Sequence, residues 1–125
     1  MMSGVDHVID INVIIGLLKG HTAAVELAHD GGLRLRRAAI SQITRMELRG
    51  YPGLTEEEDR AARAFIGACH VIGLDDDVER HAVRMRRAGL LKLPDAIVAG
   101  SALAVGARLL TLDQRLARAH AEQAG

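Results

Sequence analysis

With 125 residues, 49% apolar and 26% charged, the chain is long enough to bury one hydrophobic core and too apolar for a disordered segment. Sixteen basic residues balance sixteen acidic ones, which weighs against indiscriminate nucleic-acid binding through net charge. Tyr51 and Phe65 are the only aromatics, so a base-stacking platform is not expected, and no apolar run approaches the roughly 18 residues of a membrane span.

Short β-branched segments alternate with helical ones. The first strand is expected at about His7 to Ile11, followed by helices over about Val13 to Leu18 and Thr22 to His29, the latter ending at the Gly31-Gly32 break. A second strand is expected at about Leu35 to Ile40, then a short helix over Gln42 to Arg49 and a turn at Tyr51-Pro52-Gly53. Thr55-Glu56-Glu57-Glu58 is a capping box opening a helix that reaches about Cys69. A third strand spans about His70 to Leu74, and Asp75-Asp76-Asp77 caps a helix running to about Arg87. After a connector at Gly89 to Leu93, Pro94 suits the first turn of a helix ending near Val105. Arg108 to Leu110 reads as a fourth strand, with a last helix from about Gln114. This order implies one α/β domain over residues 1–125, with a parallel sheet covered by helices on both faces.

One residue stands out in that pattern. Val8-Ile9-Asp10-Ile11-Asn12-Val13-Ile14-Ile15 would read as a buried strand but for Asp10 and Asn12, and a buried carboxylate needs a cation or a set of donors. Glu47, Asp95 and Asp113 also sit beside apolar segments, and parallel sheets gather their sites beyond the carboxyl ends of the strands. Each acid has a plainer alternative. Asp10 can cap a helix, although Asn12, closer to the expected helix start, fits that task better. Asp95 can serve the helix dipole in a first turn. Asp113 can do the same if Thr111 caps the last helix and Gln114 reaches back. Glu47 can pair with Arg45 or Arg49 at the surface. Taken together, four carboxylates suggest a hard divalent-cation site, Mg²⁺ or Mn²⁺, able to activate water against a phosphoryl group.

No other chemistry competes. The six histidines lack metal-ligand spacing, and there is no phosphate-binding loop, nucleophile elbow or Cys-x-x-Cys. Cys69, the single cysteine, lies in an apolar stretch and reads as core, and with no export signal a reducing cytoplasm is expected. Arg84, Arg86, Arg87 and Lys92 cluster before Asp95, either to hold phosphates or partner carboxylates or as a solvated helix face. Leu90, Leu91 and Leu93 beside them read as core packing or the lining of a partner groove.

The segment from Val8 to Ile15 resembles the opening strand of PIN-domain ribonucleases: apolar residues, Asp-Thr/Ser-Asn/Ser, then apolar residues. Ser41-Gln42-Ile43-Thr44-Arg45-Met46-Glu47-Leu48 resembles that family's Ser-x-x-Thr-x-x-Glu-Leu helix. Asp95-Ala96-Ile97-Val98-Ala99 is similar to its Asp-Ala-x-x-Ala helix start, and Thr111-Leu112-Asp113 to its Thr-x-Asp segment. The motifs stand in family order over about residues 7 to 118, and the chain looks most like VapC toxins of bacterial VapBC toxin–antitoxin pairs. That resemblance implies a three-layer α/β/α sandwich around a mainly parallel sheet of four to five strands. It further implies a cytoplasmic, Mg²⁺-dependent endoribonuclease, a homodimer away from any membrane, inhibited by a small antitoxin. Asp10 and Asp95 would be the main metal ligands, Glu47 and Asp113 would complete the catalytic acids, and Asn12 and Thr111 would be polar supports. Two departures are visible: Ile11 replaces the hydroxyl residue after the first Asp, and many relatives continue past the last helix into a further strand.

Three rival readings make different demands on the sequence. A PIN fold kept as a protein-binding module finds support in Ile11. A receiver-like phosphoacceptor requires an Asp ending the third strand and a late Lys, and the chain has neither. DNA cleavage by the same acids is a third, because phosphodiester chemistry does not reveal the sugar.

Overall fold

The computed structural model describes residues 4–125. Its four strands are β1 (His7–Ile9), β2 (Ala38–Ser41), β3 (His70–Ile72) and β4 (Arg108–Leu110), in the spatial order β3-β2-β1-β4, and every neighbouring pair is parallel. Among the described residues seven α-helices connect and cover them: α1 (Ile11–Leu18), α2 (Thr22–Asp30), α3 (Gln42–Arg49), α4 (Glu56–Ala68), α5 (Asp76–Arg87), α6 (Leu93–Val105) and α7 (Gln114–Ala124). The result is a three-layer α/β/α sandwich, with the sheet at four strands.

Strand periodicity sorts the core into two halves. Val8 and Ala39 face Val78, Ala82 and Met85 of α5, the buried face of α6, and Leu116 of α7. Ile9, Ala38 and Ile40, one residue out of phase, face Val13 and Ile14 of α1, Leu48 of α3 and Ala62 of α4. β1 and β2 are buried along their whole length, as central parallel strands must be, whereas β3 and β4 begin exposed at the sheet edges. Cys69 packs half-buried against the second half of the core, and burial pushes its thiol pKa up, consistent with a packing role.

Several expected boundaries move. β1 stops at Ile9 because α1 already starts at Ile11, and Leu35–Arg37 forms a 3₁₀ turn ahead of a strand that runs on to Ser41. β3 ends at Ile72, two residues short of Leu74. The capping box at Thr55 and Glu58 forms as expected, with Glu58 N to Thr55 Oγ1 at 3.1 Å and Thr55 N to Glu58 Oε1 at 3.0 Å. Asp75 caps α5 through the Val78 amide at 2.9 Å.

The topology fixes where a site belongs. From β1 the chain steps through β2 to β3, then crosses back to place β4 on the other side of β1. The segments leaving β1 and β4 go to opposite faces of the sheet, α1 to one and α7 to the other, opening a crevice at the carboxyl ends of these two strands. Asp10 follows β1 and Thr111 follows β4 at that crevice.

Candidate active site

Asp10 is only 5% exposed, and its carboxylate is held at both oxygens. Oδ1 accepts from the Ile11 amide at 2.8 Å, and Oδ2 accepts from the Thr111 hydroxyl at 2.7 Å. Asp10 is therefore the N-cap of α1, and the assignment of that cap to Asn12 is corrected. The strand ends a residue earlier than the apolar run suggests, which places Asn12 inside the helix. Freed from capping, Asn12 ties two chain segments together: its Nδ2 donates to Thr111 Oγ1 at 3.3 Å and its Oδ1 accepts from the Leu112 amide at 3.0 Å.

Thr111 does not cap the last helix, which corrects the capping box expected at Thr111 and Gln114. Its hydroxyl is committed to Asp10 and accepts from the Asp113 amide at 3.0 Å. The cap of α7 is Asp113, whose Oδ1 accepts from the amides of Arg115 and Leu116 at 2.9 and 3.2 Å. One carboxylate oxygen of Asp113 thus serves the helix, and the other makes no hydrogen bond among the described residues.

Glu47 reaches the site by helical spacing. Ser41 caps α3, its buried hydroxyl accepting from the Thr44 amide at 3.2 Å. Residues 41, 44 and 47 recur at three-residue intervals, so Glu47 stands on the same side of α3 as that cap. Neither Arg45 nor Arg49 pairs with it. Asp95 lies in the first turn of α6, behind Pro94 and the N-cap Lys92, half-buried and without an ion pair among the described residues.

The electrostatics bring the four acids together. Burial is the largest cause raising the pKa of Asp10, and the nearby Asp113 adds to it against the lowering by Thr111 and Ile11. Glu47 is raised by burial, then by the charges of Asp10 and Asp95. Asp95 is raised by burial, then by Asp10 and Asp113, with Lys92 opposing. Asp10, Glu47 and Asp95 each feel at least one neighbouring carboxylate. This is a patch of negative charge at the carboxyl edge of β1 and β4, offset only in part by Lys92 and by the donors to Asp10.

The donor set suits a hard cation in kind: four carboxylates, no sulfur, no imidazole, and two acids without any hydrogen-bonding partner among the described residues. Among the described residues, no three such groups stand close enough to share one ion. Alongside Asp95 and Asp113 runs an open cleft of about 420 Å³, lined also by Arg86, Leu90, Lys92 and Arg115. Of the cations singled out in the sequence, Arg86 and Lys92 border this cleft, while Arg84 and Arg87 do not. Arg115 was missed by sequence reasoning, having no neighbour in the chain to mark it. Leu91 is buried in the core, and Leu93 is 54% exposed. With Met46 and Leu112, Leu93 places exposed apolar surface within two residues of Glu47, Asp113 and Asp95. No single helix among the described residues is long and apolar enough to cross a membrane.

Comparison with known proteins agrees with this architecture. A toxin–antitoxin complex from Klebsiella pneumoniae contains a chain 26% identical to this one, with a TM-score of 0.73 over 87% of this chain and 88% of that one. VapBC-1 from nontypeable Haemophilus influenzae is 20% identical, with a TM-score of 0.71 over 94% of each chain. VapBC2 from Rickettsia felis, bound to a DNA fragment from its promoter, is 18% identical, with a TM-score of 0.66 over 91% of this chain and 92% of that one. A search of curated protein sequences gives no match. The PIN domain profile matches residues 7–122, which takes in every strand, every helix start at the crevice and all four acids. This chain belongs to the PIN domain family.

Proposed function

We propose that this chain is a divalent-cation-dependent endoribonuclease, the toxin of a type II toxin–antitoxin pair of VapC type. The observation that carries the reading is the group of carboxylates at the switch point of the sheet, where Asp10 and Asp95 act on Glu47 and Asp113 acts on Asp10 and Asp95, with no basic side chain paired to any of the four among the described residues. Membership of the PIN family and the likeness to the Klebsiella toxin–antitoxin chain support it.

In this reading Asp10 and Asp95 would hold Mg²⁺, or Mn²⁺ in its place, and Glu47 and Asp113 would complete the pocket directly or through water. When bound, the cation lowers the pKa of water and neutralises charge growing on a phosphoryl oxygen. The protein supplies the positioning. Thr111 and the Ile11 amide fix both oxygens of Asp10, and Asn12 holds the segment that carries Thr111. A main-chain amide and the threonine hydroxyl thus supply the donors, although Ile11 lacks the hydroxyl common in relatives. The exposed apolar residues Met46, Leu93 and Leu112 would give an antitoxin a surface beside the acids. We read the chain as one cytoplasmic domain acting as a homodimer.

RNA cleavage by purified, antitoxin-free protein in Mg²⁺ or Mn²⁺, abolished by EDTA, tests the proposal. A catalytically weak protein-binding module is the second reading, favoured by Ile11 and by the spacing of the acids, of which no three are gathered around one point. It expects no cutting at saturating Mn²⁺.

A further inference from the structure

A second, smaller cleft of about 200 Å³ adjoins the one beside the acids. It is lined by Gly89, Leu90, Arg115, Arg118, Ala119 and Glu122. Gly89, Leu90 and Arg115 border both clefts, so the two are halves of one trough crossing the α5–α6 connector and the exposed face of α7. One end opens on Asp95 and Asp113. The other runs past Arg115 to Arg118, which lie three residues apart and so share a helix face.

The charges in the trough are distributed unevenly. Arg86, Lys92, Arg115 and Arg118 line it, and none pairs with a carboxylate among the described residues. With Asp95 and Asp113 assigned to the catalytic pocket, Glu122 is the only acid left among the lining residues. In a chain of zero net charge, four unpaired cations along one groove are a local feature and not a consequence of composition.

The floor is built to stay open and in register. Gly89 closes α5 at φ +73°, and a Cβ placed there would meet nothing within 4 Å, so the saddle between the two clefts is clear. The Arg86 guanidinium donates to the Leu91 carbonyl at 3.0 Å and fixes the connector. The Arg115 amide donates to Asp113 Oδ1 at 2.9 Å, so the first cation of the trough is attached to an acid of the pocket. No aromatic side chain lines either cleft.

From this we infer that the trough from Lys92 across Gly89 to Arg115 and Arg118 is the path of single-stranded RNA leaving the acidic pocket. Its phosphates are held by these cations and its bases are not read there. The inference rests on the nuclease reading for its substrate. Without stacking platforms, recognition along this stretch is of the backbone and tolerant of sequence. Target choice must then come from elsewhere on the protein.

The test is fluorescence anisotropy with a labelled single-stranded RNA oligonucleotide in Mg²⁺, on the Asp10→Asn background so that the probe survives. Adding Lys92→Gln, Arg115→Gln and Arg118→Gln should weaken binding more than about tenfold. It should also reduce the slope of log K against log salt by about 2, at roughly 0.7 for each single-strand phosphate that is no longer neutralised. Arg60→Gln with Arg63→Gln on α4 should change neither. All these side chains are exposed, so the fold should hold, with circular dichroism as the check. An unchanged slope in the triple variant, an equal loss in the α4 control, or no salt-dependent binding at all would overturn the path. Cleavage separates the two ideas. If the protein with its acids intact cuts RNA and the triple variant keeps its KM, the trough is wrong and the nuclease stands. If the triple variant loses binding while no version cuts, the nuclease is wrong and the RNA path stands.

Discussion

The Thr111 hydroxyl donates to Asp10 Oδ2 at 2.7 Å, joining residues 101 positions apart in the chain. Thr111 Oγ1 in turn accepts from Asn12 Nδ2 and from the Asp113 amide, so one hydroxyl links the ends of two neighbouring parallel strands and two of the four acids. Thr111→Val keeps the shape and removes all three bonds. It leaves a half-buried Asp113 amide without its partner, which should cost about 1–3 kcal/mol in urea unfolding. RNA cleavage should fall with it, through loss of Asp10 positioning. Unchanged stability would show that the hydroxyl does not hold the crevice together.

Asp10 has two roles that can be separated. As N-cap of α1 it is replaceable by Asn, one of the best capping residues, whereas Ala should cost about 1 kcal/mol. Thermal melts should place Asp10→Asn near or above wild type and Asp10→Ala below it, with both inactive on RNA. Full activity in Asp10→Asn would reduce Asp10 to a capping residue.

The raised acids set the sign of a pH effect. Asp10, Glu47 and Asp95 bind protons more tightly folded than unfolded, so their contribution to stability is complete below the ordinary values of 3.8 and 4.5. It is lost as pH rises through the raised values. His7, His81 and His120 act in the opposite sense. Burial lowers their pKa, so their contribution is complete above 6.5 and lost as pH falls through the lowered values. The two effects overlap in wild type, and Asp95→Asn isolates the first. In metal-free buffer that variant should melt above wild type at pH 7, and the gap should close toward acid pH. Added Mg²⁺ should stabilise wild type and narrow the gap at pH 7. A variant melting below wild type at pH 7 would mean that Asp95 serves its helix more than it repels its neighbours.

Asp95 is placed by a tight helix crossing. A Cβ on Gly100 would lie 2.9 Å from the Val78 carbonyl oxygen and 3.2 Å from the Ala82 nitrogen, both backbone atoms of α5. Helix propensity alone would make Gly100→Ala stabilising by about 1 kcal/mol. Forcing two backbones apart costs more, and a net loss of about 1–2 kcal/mol is expected in denaturant titration. A more stable variant would show that α5 and α6 can separate freely.

Much of this was legible in the sequence. Alternation of β-branched and helical segments gave the parallel sandwich, because buried strands and amphipathic helices differ in period. The capping box at Thr55 was readable because it is closed within four residues. Asp10, Asn12, Thr111 and Asp113 were legible as a set but not in their parts. Several of them can accept an amide, and which one caps depends on bonds between β1 and β4 that local sequence does not contain. Leu35–Arg37 looked like strand because its residues suit either conformation, and only Ala38 to Ser41 find partners in the sheet. Arg115 and Arg118 carried no signal, since their nearness to Gly89 and Leu90 arises from packing between α7 and the α5–α6 connector.

The most direct measurement is cleavage of cellular RNA by wild type, Asp10→Asn and Asp95→Asn in Mg²⁺, Mn²⁺ and EDTA, with Mn²⁺ binding followed by calorimetry on the same samples. Wild type should bind Mn²⁺ and cut RNA only with a divalent cation, while both variants should stay folded, bind the ion more weakly and lose cutting by at least about a hundredfold. Folded wild-type protein that neither binds Mn²⁺ nor cuts, or variants that cut as wild type does, would contradict a catalytic acidic centre.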